Sequence, residues 1–383
     1  MATTTDSGKL DKETVVEDEE ALEKQHFLRI IHAYRNYRAY ALDRVQRSEK
    51  SFNKLSDRHK KLLPAQLGHF NKIRIAIDTN YELILRILNS TDHMFVNKDM
   101  ENTKDPRNTG KTISSYHMEK IYTTLKQFSR DWSSEGQQER DLCYKPIIEE
   151  VLSRLPIDKR HKKRGEPKKV LVPGAGLGRL AFEIAKLGYM CQGNEFSMIM
   201  LIAANFILNR SGGINSYTLY PWVHQYTNNK GSEDQVKAIK IPDICTQSLP
   251  QDANFSMAAG DFLEVYTEKD YWNCIATCYF IDTAHNILDY LDKIYEILKP
   301  GGYWINLGPL LYHFSDIPGE NSIEVSYVEL RRAITEIGFV ILDEHTDAES
   351  TYTQNPRSML QYKYHCVFFT CQKPRHSSNT KCS

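Results

Sequence analysis

The chain has 383 residues, of which 41% are hydrophobic, so it can build a substantial core as one large domain or two ordinary ones. Lys plus Arg and Asp plus Glu number 49 each, so no overall charge favours nucleic acid or an anionic membrane, and we expect neither as a partner. No apolar run approaches the ~20 residues that span a bilayer, and the polar, acidic residues 1–20 differ from a signal sequence. This composition predicts a cytosolic protein with a small-molecule substrate.

The first part of the chain is predicted to be helical. Residues 1–17 lack apolar periodicity, so we predict a disordered tail there. Apolar residues then recur at helical spacing over residues 19–48, 63–88, 116–132 and 139–155, with a polar loop at 99–112. These patterns predict a helical extension or cap over residues 18–158, and an independent binding module is the alternative.

A basic cluster follows the helices, at residues 159–164 and at Lys168 and Lys169. A solvated linker before the first strand is the favoured interpretation, with nuclear import or nucleic-acid contact as alternatives.

A glycine-rich loop then follows the predicted strand 170–172. Its glycines are Gly174, Gly176 and Gly178, and Arg179 stands where a dinucleotide-binding motif needs its third glycine. The spacing therefore favours a nucleoside cofactor without a pyrophosphate, such as S-adenosylmethionine. Glu195 ends the next predicted strand, 190–194, where an acid can hold the ribose hydroxyls. No cysteines and histidines stand at metal-ligand spacing, so we expect no metal.

Strands and helices alternate through the rest of the chain, apart from an insertion at about residues 209–254 of the kind that forms lids or substrate walls. Asp261 follows the strand 255–258, Asp282 follows the strand 272–280, and a Lys-Pro-Gly-Gly turn precedes the strand 303–307. Strands at 339–342 and 364–372 complete the pattern. We predict an α/β fold with a seven-stranded, Rossmann-like class I methyltransferase sheet over residues 159–373, the insertion lying between strands two and three, and a flexible tail at 374–383.

Four strings narrow this prediction to a family: PGAGLGRL at 173–180, CQGNE at 191–195, FIDTAHN at 280–286 and GPLLYHF at 308–314. They closely resemble the carnosine N-methyltransferase family, and the likeness spans about residues 20–373. The resemblance implies a cytosolic and nuclear enzyme that moves a methyl group from S-adenosylmethionine to the imidazole pros nitrogen of β-alanyl-histidine, giving anserine. It also implies related substrates such as homocarnosine, and a homodimer formed through the helical extension.

The resemblance implies a cofactor site made of Gln137, Arg140, Gly174, Glu195, Asp261, Phe262 and Cys278. Arg140 would grip the methionine carboxylate in a bidentate manner, with neutral hydrogen bonds from Gln137. Asp261 would accept from the adenine amino group, and the ring or main chain of Phe262 would cover the adenine. Cys278 would lie close to the reactive sulfur.

The substrate is expected beyond the carboxyl ends of the strands, where open α/β sheets bind ligands. Asp282 would be the catalytic residue, because a carboxylate can hold one imidazole N–H, leave the other nitrogen free and offset the developing positive charge. His313 and Tyr364 match the substrate-contacting positions of the family, with Tyr352 as a further wall.

Several alternatives stay open. Asp282 could instead cap a helix, His313 could be a core histidine, and His285 or Tyr312 could exchange roles with them. The segment 281–284 lacks the (Asp/Asn)-Pro-Pro-aromatic turn of many base methyltransferases, which disfavours base methylation. A methyltransferase acting on protein histidine or small amines, and a non-catalytic module that binds a cofactor or partner, are the alternative functions.

Overall fold

The computed structural model describes residues 10–91, 114–157, 167–250 and 253–375, with side chains described from residue 22 onward. The chain divides into two compact units, Met1–Thr124 and Leu125–Ser383, so the division falls earlier than the predicted boundary at residue 158. The predicted polar loop at 99–112 and the basic residues 159–164 lie outside the described residues, as do residues 376–383 of the predicted tail.

The first unit is helical. It contains α1 (Leu10–Asn53), α2 (Asp57–Leu62), α3 (Gln66–Asn89) and the beginning of α4 (Ser115–Trp132). α1 and α3 pack through apolar residues such as Tyr34 and Ile77, and Asn80 Nδ2 donates to the buried hydroxyl of Tyr37 at 3.1 Å. None of the helices in the described ranges is both long and apolar enough to cross a membrane.

The first helix begins within the segment predicted to be disordered. α1 begins at Leu10, whereas disorder is predicted for residues 1–17, of which residues 1–9 lie outside the described part. Glu and Lys are good helix formers, so a charged segment without an apolar stripe can still extend a helix that is anchored further along.

The second unit alternates helices and strands. Its helices are the end of α4, α5 (Gln137–Arg154), α6 (Arg179–Lys186), α7 (Met198–Asn205), α8 (Ser232–Gln235), α9 (Phe262–Val265), α10 (Ile287–Ile297) and α11 (Tyr327–Ile337). Its strands are β1 (Lys169–Pro173), β2 (Met190–Glu195), β3 (Tyr217–Leu219), β4 (Ile239–Ile241), β5 (Phe255–Ala259), β6 (Trp272–Cys278), β7 (Leu298–Gly308), β8 (Val340–Ser350) and β9 (Tyr364–Gln372).

Seven of these strands form one sheet in the order β5-β2-β1-β6-β7-β9-β8. The first five in this order pair in parallel, and β9 pairs antiparallel with both β7 and β8. The order reverses between β1 and β6, which in an open α/β sheet creates a crevice at the carboxyl ends of these strands. The predicted seven-stranded methyltransferase sheet with a late antiparallel hairpin is confirmed.

Helices cover both faces of this sheet. On one face, α5 and α6 bury residues such as Ile147, Val151 and Ile184 against β1, β6 and β7. On the other face, α10 and α11 bury residues such as Leu291 and Leu330. α5 therefore belongs with the sheet, although its sequence places it in the predicted extension. An amphipathic stripe shows that one helix face is buried but does not show which surface buries it.

The insertion between β2 and β5 contains a small antiparallel sheet formed by β3 and β4. This segment contacts the chain after β8, because the main-chain N–H of Met359 donates to the carbonyl of Asn228 at 2.7 Å and Asn229 forms a β-bridge with Ser358. The insertion thus extends beside the carboxyl ends of the strands, as expected for a wall of a ligand site.

Candidate active site

The glycine loop follows β1 directly. Gly174, Gly176 and Gly178 all have positive φ angles, of 64°, 56° and 81°, and Gly178 is the N-cap of α6. The N–H of Gly176 donates to Glu195 Oε2 at 2.9 Å, and the N–H of Ser197 donates to Glu195 Oε1 at 2.8 Å. The acid at the end of β2 thus holds the loop after β1.

The acid after β5 is also well ordered. Asp261 is the N-cap of α9, and its Oδ1 accepts from the N–H of Leu263 at 2.8 Å. The ring of Phe262 points into the core, where it is 2% exposed and lies 5.5 Å from the ring of Phe280 and 5.4 Å from that of Tyr290. The prediction allows either the ring or the main chain of Phe262 to cover an adenine. Because the ring is buried in the core, only the main chain can do so.

Strand β6 ends in a strained turn. Tyr279 follows Cys278 with a φ of 54°, which is rare for a residue other than glycine. Its N–H donates to the carbonyl of Leu307 at 2.9 Å, and a Cβ at Gly308 would come within 3.2 Å of its main chain. Strain of this kind persists where packing enforces it, often at functional sites. The turn aims the Tyr279 ring across the ends of β7 and β9.

Asp282 lies in the short 3₁₀ turn after β6 and is 2% exposed. Its Oδ2 accepts from the N–H of Leu311 at 2.8 Å, and its carbonyl accepts from the N–H of His313 at 3.0 Å. Burial raises the pKa of the Asp282 carboxyl, although the bond from Leu311 and the charge of His313 act in the opposite direction. The helix that follows is capped by Asn286 instead, so the alternative of Asp282 as a helix cap is wrong.

Both predicted substrate-contacting tyrosines adjoin Tyr279. The Tyr352 ring lies 4.8 Å from the Tyr279 ring and the Tyr364 ring lies 5.9 Å from it. Burial raises the pKa of Tyr364, and the charge of Asp282 adds a smaller effect in the same direction. His313 is exposed rather than a core histidine. The structure therefore brings the four predicted substrate residues to one end of the sheet.

The two residues that could exchange roles with them are engaged elsewhere. The His285 ring stacks on Phe314 at 3.6 Å, and its Nδ1 lies 2.8 Å from the carbonyl oxygen of Asn321. Tyr312 is 7% exposed, and its hydroxyl donates to the carbonyl of Val325 at 2.6 Å. Both contacts hold the loop after β7 and leave Asp282 and His313 as the site groups.

Arg140 is held within the protein on four sides. Its Nη1 donates to the carbonyls of Arg130 and Ser133 at 2.6 and 2.8 Å, and its Nη2 donates to Gln137 Oε1 and Asp243 Oδ2 at 2.9 and 2.6 Å. These four bonds engage both Nη groups of Arg140 and fix the start of α5. The cofactor role of Arg140 and Gln137 stays a prediction.

Asp243 joins two buried arginines. Its Oδ1 accepts from Arg179 Nη1 at 2.6 Å while its Oδ2 accepts from Arg140. Arg179 also donates to the carbonyl of Asp131 at 2.6 Å, and Trp132 Nε1 donates to the carbonyl of Leu177 at 3.1 Å. The end of α4, the glycine loop and the insertion are therefore linked through one polar network.

Comparison with known proteins decides the family. The family model described as carnosine N-methyltransferase matches residues 108–375. This chain belongs to the carnosine N-methyltransferase family. It is 52% identical to the mouse carnosine N-methyltransferase over 94% of this chain and 88% of the mouse protein. The Drosophila melanogaster "Carnosine N-methyltransferase unmet" is 43% identical, covering 94% and 82%, and the Schizosaccharomyces pombe carnosine N-methyltransferase is 42% identical, covering 90% and 94%.

As a member of this family the protein is an S-adenosylmethionine-dependent methyltransferase, and the predicted resemblance and cofactor are confirmed. The observed residues fit the cofactor. A Cβ at Gly176 would face Gln127 and Asp131 at 3.8 and 3.9 Å, so the glycine leaves a small polar recess between the loop and α4. Within the described ranges no cluster of His, Cys, Asp or Glu could hold a metal ion.

Sequence reasoning missed four residues at this site. Arg130 and Tyr279 lie beside Cys278, Asp243 forms the arginine bridge, and Phe196, which directly follows Glu195, is 74% exposed. Two of them could have been identified from the sequence, because Phe196 and Tyr279 directly follow predicted site residues at the ends of strands. Arg130 and Asp243 carried none, because their partners are distant in sequence.

Proposed function

We propose that this protein methylates the imidazole of carnosine at the pros nitrogen to give anserine, and that it also accepts related histidine peptides such as homocarnosine. The observation that carries the proposal is the buried Asp282 carboxylate, which lies with His313 and Tyr364 at the end of the strand that carries Cys278. Relatives at 42–52% identity named carnosine N-methyltransferase support the same substrate.

The adenosine end of the cofactor would lie between the glycine loop and α9. Glu195 would accept from the ribose hydroxyls, Asp261 from the adenine amino group, and the main chain of Phe262 would border the ring, with Phe196 on the open side. Support comes from the main chain, because the N–H of Gly260, which precedes Asp261, donates to the carbonyl of Glu195 at 3.1 Å and so brings the ends of β2 and β5 together.

The methionine end would lie over Gly174 and Cys278, beneath the segment that Gln137 and Arg140 hold. S-adenosylmethionine, when bound, supplies an electrophilic methyl group on a sulfonium. Burial raises the pKa of the Cys278 thiol and keeps it neutral, so it offers a small uncharged wall beside that group. Trp132 and the Asp243 bridge hold α4 in place over the glycine loop and help exclude water.

Asp282 would orient the imidazole and receive its proton. One carboxylate oxygen is fixed by the N–H of Leu311, and the other can accept the N–H of one ring nitrogen, which leaves the lone pair of the second nitrogen free to attack. Imidazole is mostly neutral near pH 7, since its unperturbed pKa is ~6.5. The negative charge of Asp282 offsets the positive charge of the methylated ring, and burial makes this carboxylate a stronger proton acceptor.

The aromatic residues would form the walls around the ring. Tyr364 lies near the Asp282 carboxylate, and Tyr352 lies across the Tyr279 ring. His313 is held by its main-chain bond to Asp282, so its exposed ring can meet the peptide part of the substrate.

A direct assay tests the proposal. Purified full chain is incubated with labelled S-adenosylmethionine and carnosine, and the product is identified by NMR from the position of the new methyl group. We expect a single pros-methylated dipeptide, and strong loss of it in Asp282→Asn. Carnosine left unmethylated while proteins of a cell extract become labelled would overturn the substrate and favour a protein-histidine methyltransferase.

We also propose that the enzyme works in the cytosol and nucleus. This proposal rests on the family resemblance, and imaging a fluorescent fusion of the full chain tests it. Signal confined to an organelle lumen would contradict it.

We propose in addition that the enzyme is a homodimer. The resemblance implies pairing through the helical extension, and light scattering of the purified chain gives the mass directly. A monomer at micromolar concentration would contradict this proposal.

A further inference from the structure

Arg130 is a buried cation that the proposed mechanism does not use. It lies near the end of α4 and is 4% exposed. Its guanidinium carbon lies 4.6 Å from the centre of the Tyr352 ring, 4.7 Å from that of Tyr144 and 5.5 Å from that of Tyr279. Three tyrosines, two of which border the proposed substrate site, therefore surround one charge.

The hydrogen-bonding capacity of this guanidinium is poorly used. Nε lies 3.0 Å from Glu139 Oε1, but the alignment does not form a hydrogen bond. Nη2 faces two weak acceptors, the sulfurs of Cys143 at 3.1 Å and Cys278 at 3.9 Å. Among the residues that the structure describes, no oxygen accepts a hydrogen bond from either Nη of Arg130.

The neighbouring buried arginines are satisfied in a different way. Arg140 and Arg179 are each 4% exposed, like Arg130, and both donate to carbonyl oxygens and to the carboxylate of Asp243. Buried polar groups in folded proteins nearly always have partners, and a guanidinium fits a carboxylate best. Among these three arginines, Arg130 is therefore the one whose Nη groups donate to no oxygen, although its Nε is paired with Glu139.

A cavity of about 270 Å³ opens beside Arg130. Its walls include Glu139, Trp222 of the insertion, and Thr351 and Thr353, which flank Tyr352. Glu139 accepts from the N–H of Thr353 at 2.8 Å, which fixes this wall. The cavity thus borders Arg130 and the two threonines on either side of Tyr352.

Arg130 and Asp282 face the same small region from different sides. The Cys366 thiol donates to the Tyr279 hydroxyl at 3.5 Å, and the pKa of this thiol, raised mainly by burial, also responds to the charges of Asp282 and Arg130. The Tyr279 ring joins these residues, because the Arg130 guanidinium lies 5.5 Å from its centre and the Tyr364 ring lies 5.9 Å from it. A histidine whose imidazole is held by Asp282 carries its carboxylate only two carbons from the ring, so this group can face Arg130 across the Tyr279 ring.

We propose that Arg130 binds the carboxylate of the dipeptide substrate and so selects histidine peptides with a free carboxyl terminus. The inference rests on the proposed function, because it assumes a histidine dipeptide at Asp282. An entering carboxylate would accept from the unsatisfied Nη groups in a site with little water, where such pairs are strong. Arg130 would contribute to specificity and binding, whereas Asp282 acts at the reacting ring.

The test compares carnosine with β-alanylhistamine, which has the same amine, amide and imidazole but no carboxylate. We expect the wild-type enzyme to favour carnosine by about 30-fold or more in kcat/KM. Arg130→Gln should raise KM for carnosine and remove this preference, while turnover of β-alanylhistamine changes less than about threefold. Arg130→Lys keeps the positive charge but cannot donate two parallel hydrogen bonds to a carboxylate, so it should retain part of the preference.

Two further measurements separate the possible failures. Calorimetric titration with S-adenosylhomocysteine should give the same affinity for wild type, Arg130→Gln and the surface control Arg331→Gln. A tenfold loss in Arg130→Gln would assign the carboxylate to the cofactor and overturn the inference. Equal use of carnosine and β-alanylhistamine by the wild type would overturn it without any variant, and methylation of neither would overturn the proposed function itself.

Discussion

The main-chain N–H of Leu311 donates to the carboxylate of Asp282 at 2.8 Å, and this bond joins the loop after β7 to the turn after β6. It leaves one carboxylate oxygen for a ligand while it fixes the direction of the group. A carboxylate that is 2% exposed and held in this way is oriented before any ligand arrives. Such preorganisation is a main source of electrostatic catalysis.

Replacing Asp282 should therefore affect the chemical step. We expect Asp282→Asn to lower kcat by about 10²–10³-fold, as removal of one preorganised charge does in other enzymes. The amide oxygen can still accept from Leu311, so the loop should keep its place. Steady-state kinetics with carnosine, together with the affinity for S-adenosylhomocysteine, measure this.

A matched variant separates charge from position. Asp282→Ala removes the acceptor for Leu311 as well, and it should lose stability in addition to activity, because the bond that joins the two loops is lost. If Asp282→Asn kept turnover within about tenfold of wild type, less than ~1.4 kcal/mol of barrier would depend on the charge, and the catalytic role would be wrong.

The Asp282 carboxylate should increase activity but lower the stability of the folded protein at neutral pH. Burial raises the pKa of Asp282 in the folded protein above its ordinary value, so the stability that it contributes is complete at low pH and is lost as the pH rises through the raised pKa. Asp282→Asn stays neutral throughout. We expect its melting temperature to exceed that of wild type at pH 7.5, with a gap that closes towards pH 4. Asp316→Asn, which removes an exposed carboxylate, is the control, and a constant gap would contradict the argument.

Sequence periodicity predicts the apolar strands well and the polar parts of strands poorly. β9 agrees with its predicted bounds, because a continuous apolar run marks a buried strand. β8 was predicted to end at Leu342 but runs to Ser350 through polar residues. β8 is the edge of the sheet, with one neighbour, and an edge strand can be polar on both faces. β7 also begins earlier than predicted, at Leu298, because the Lys-Pro-Gly-Gly turn lies within a strand whose register shifts.

Some residues of the candidate site could be predicted from the sequence, and others could not. Glu195, Asp261 and Asp282 could be found because acids at strand ends meet at one edge of a parallel sheet. Arg130 lies 148 positions from Cys278, and Asp243 lies 103 positions from Arg140. Only packing brings such residues together, so neither spacing nor composition could identify them. The resemblance to a family placed Arg140 at the cofactor, but it did not show that the donors of this residue are used inside the protein.

Two glycines of the loop allow the effect of backbone strain to be separated from that of a steric clash. Gly174→Ala and Gly176→Ala should each lose about 1–2 kcal/mol of unfolding free energy, because both positions have positive φ. A Cβ at Gly174 would also lie 2.5 Å from Cδ2 of Phe280, and this ring is held by stacking on Tyr290 at 4.7 Å. A Cβ at Gly176 would have no neighbouring atom closer than 3.8 Å. Denaturant unfolding should therefore show the larger loss for Gly174→Ala. Equal losses would mean that Phe280 moves aside.

The bridge at Asp243 should contribute strongly to the stability of the folded protein. Asp243→Ala leaves Arg140 and Arg179 buried without their shared carboxylate, and breaking buried pairs of this kind costs ~3–5 kcal/mol. We expect a clear fall in melting temperature, with weaker S-adenosylhomocysteine binding as α4 and the glycine loop lose a common anchor. Glu349→Ala breaks an exposed pair with Lys363 and should leave the melting temperature unchanged. Similar melting temperatures for both variants would show that the bridge does not hold these segments.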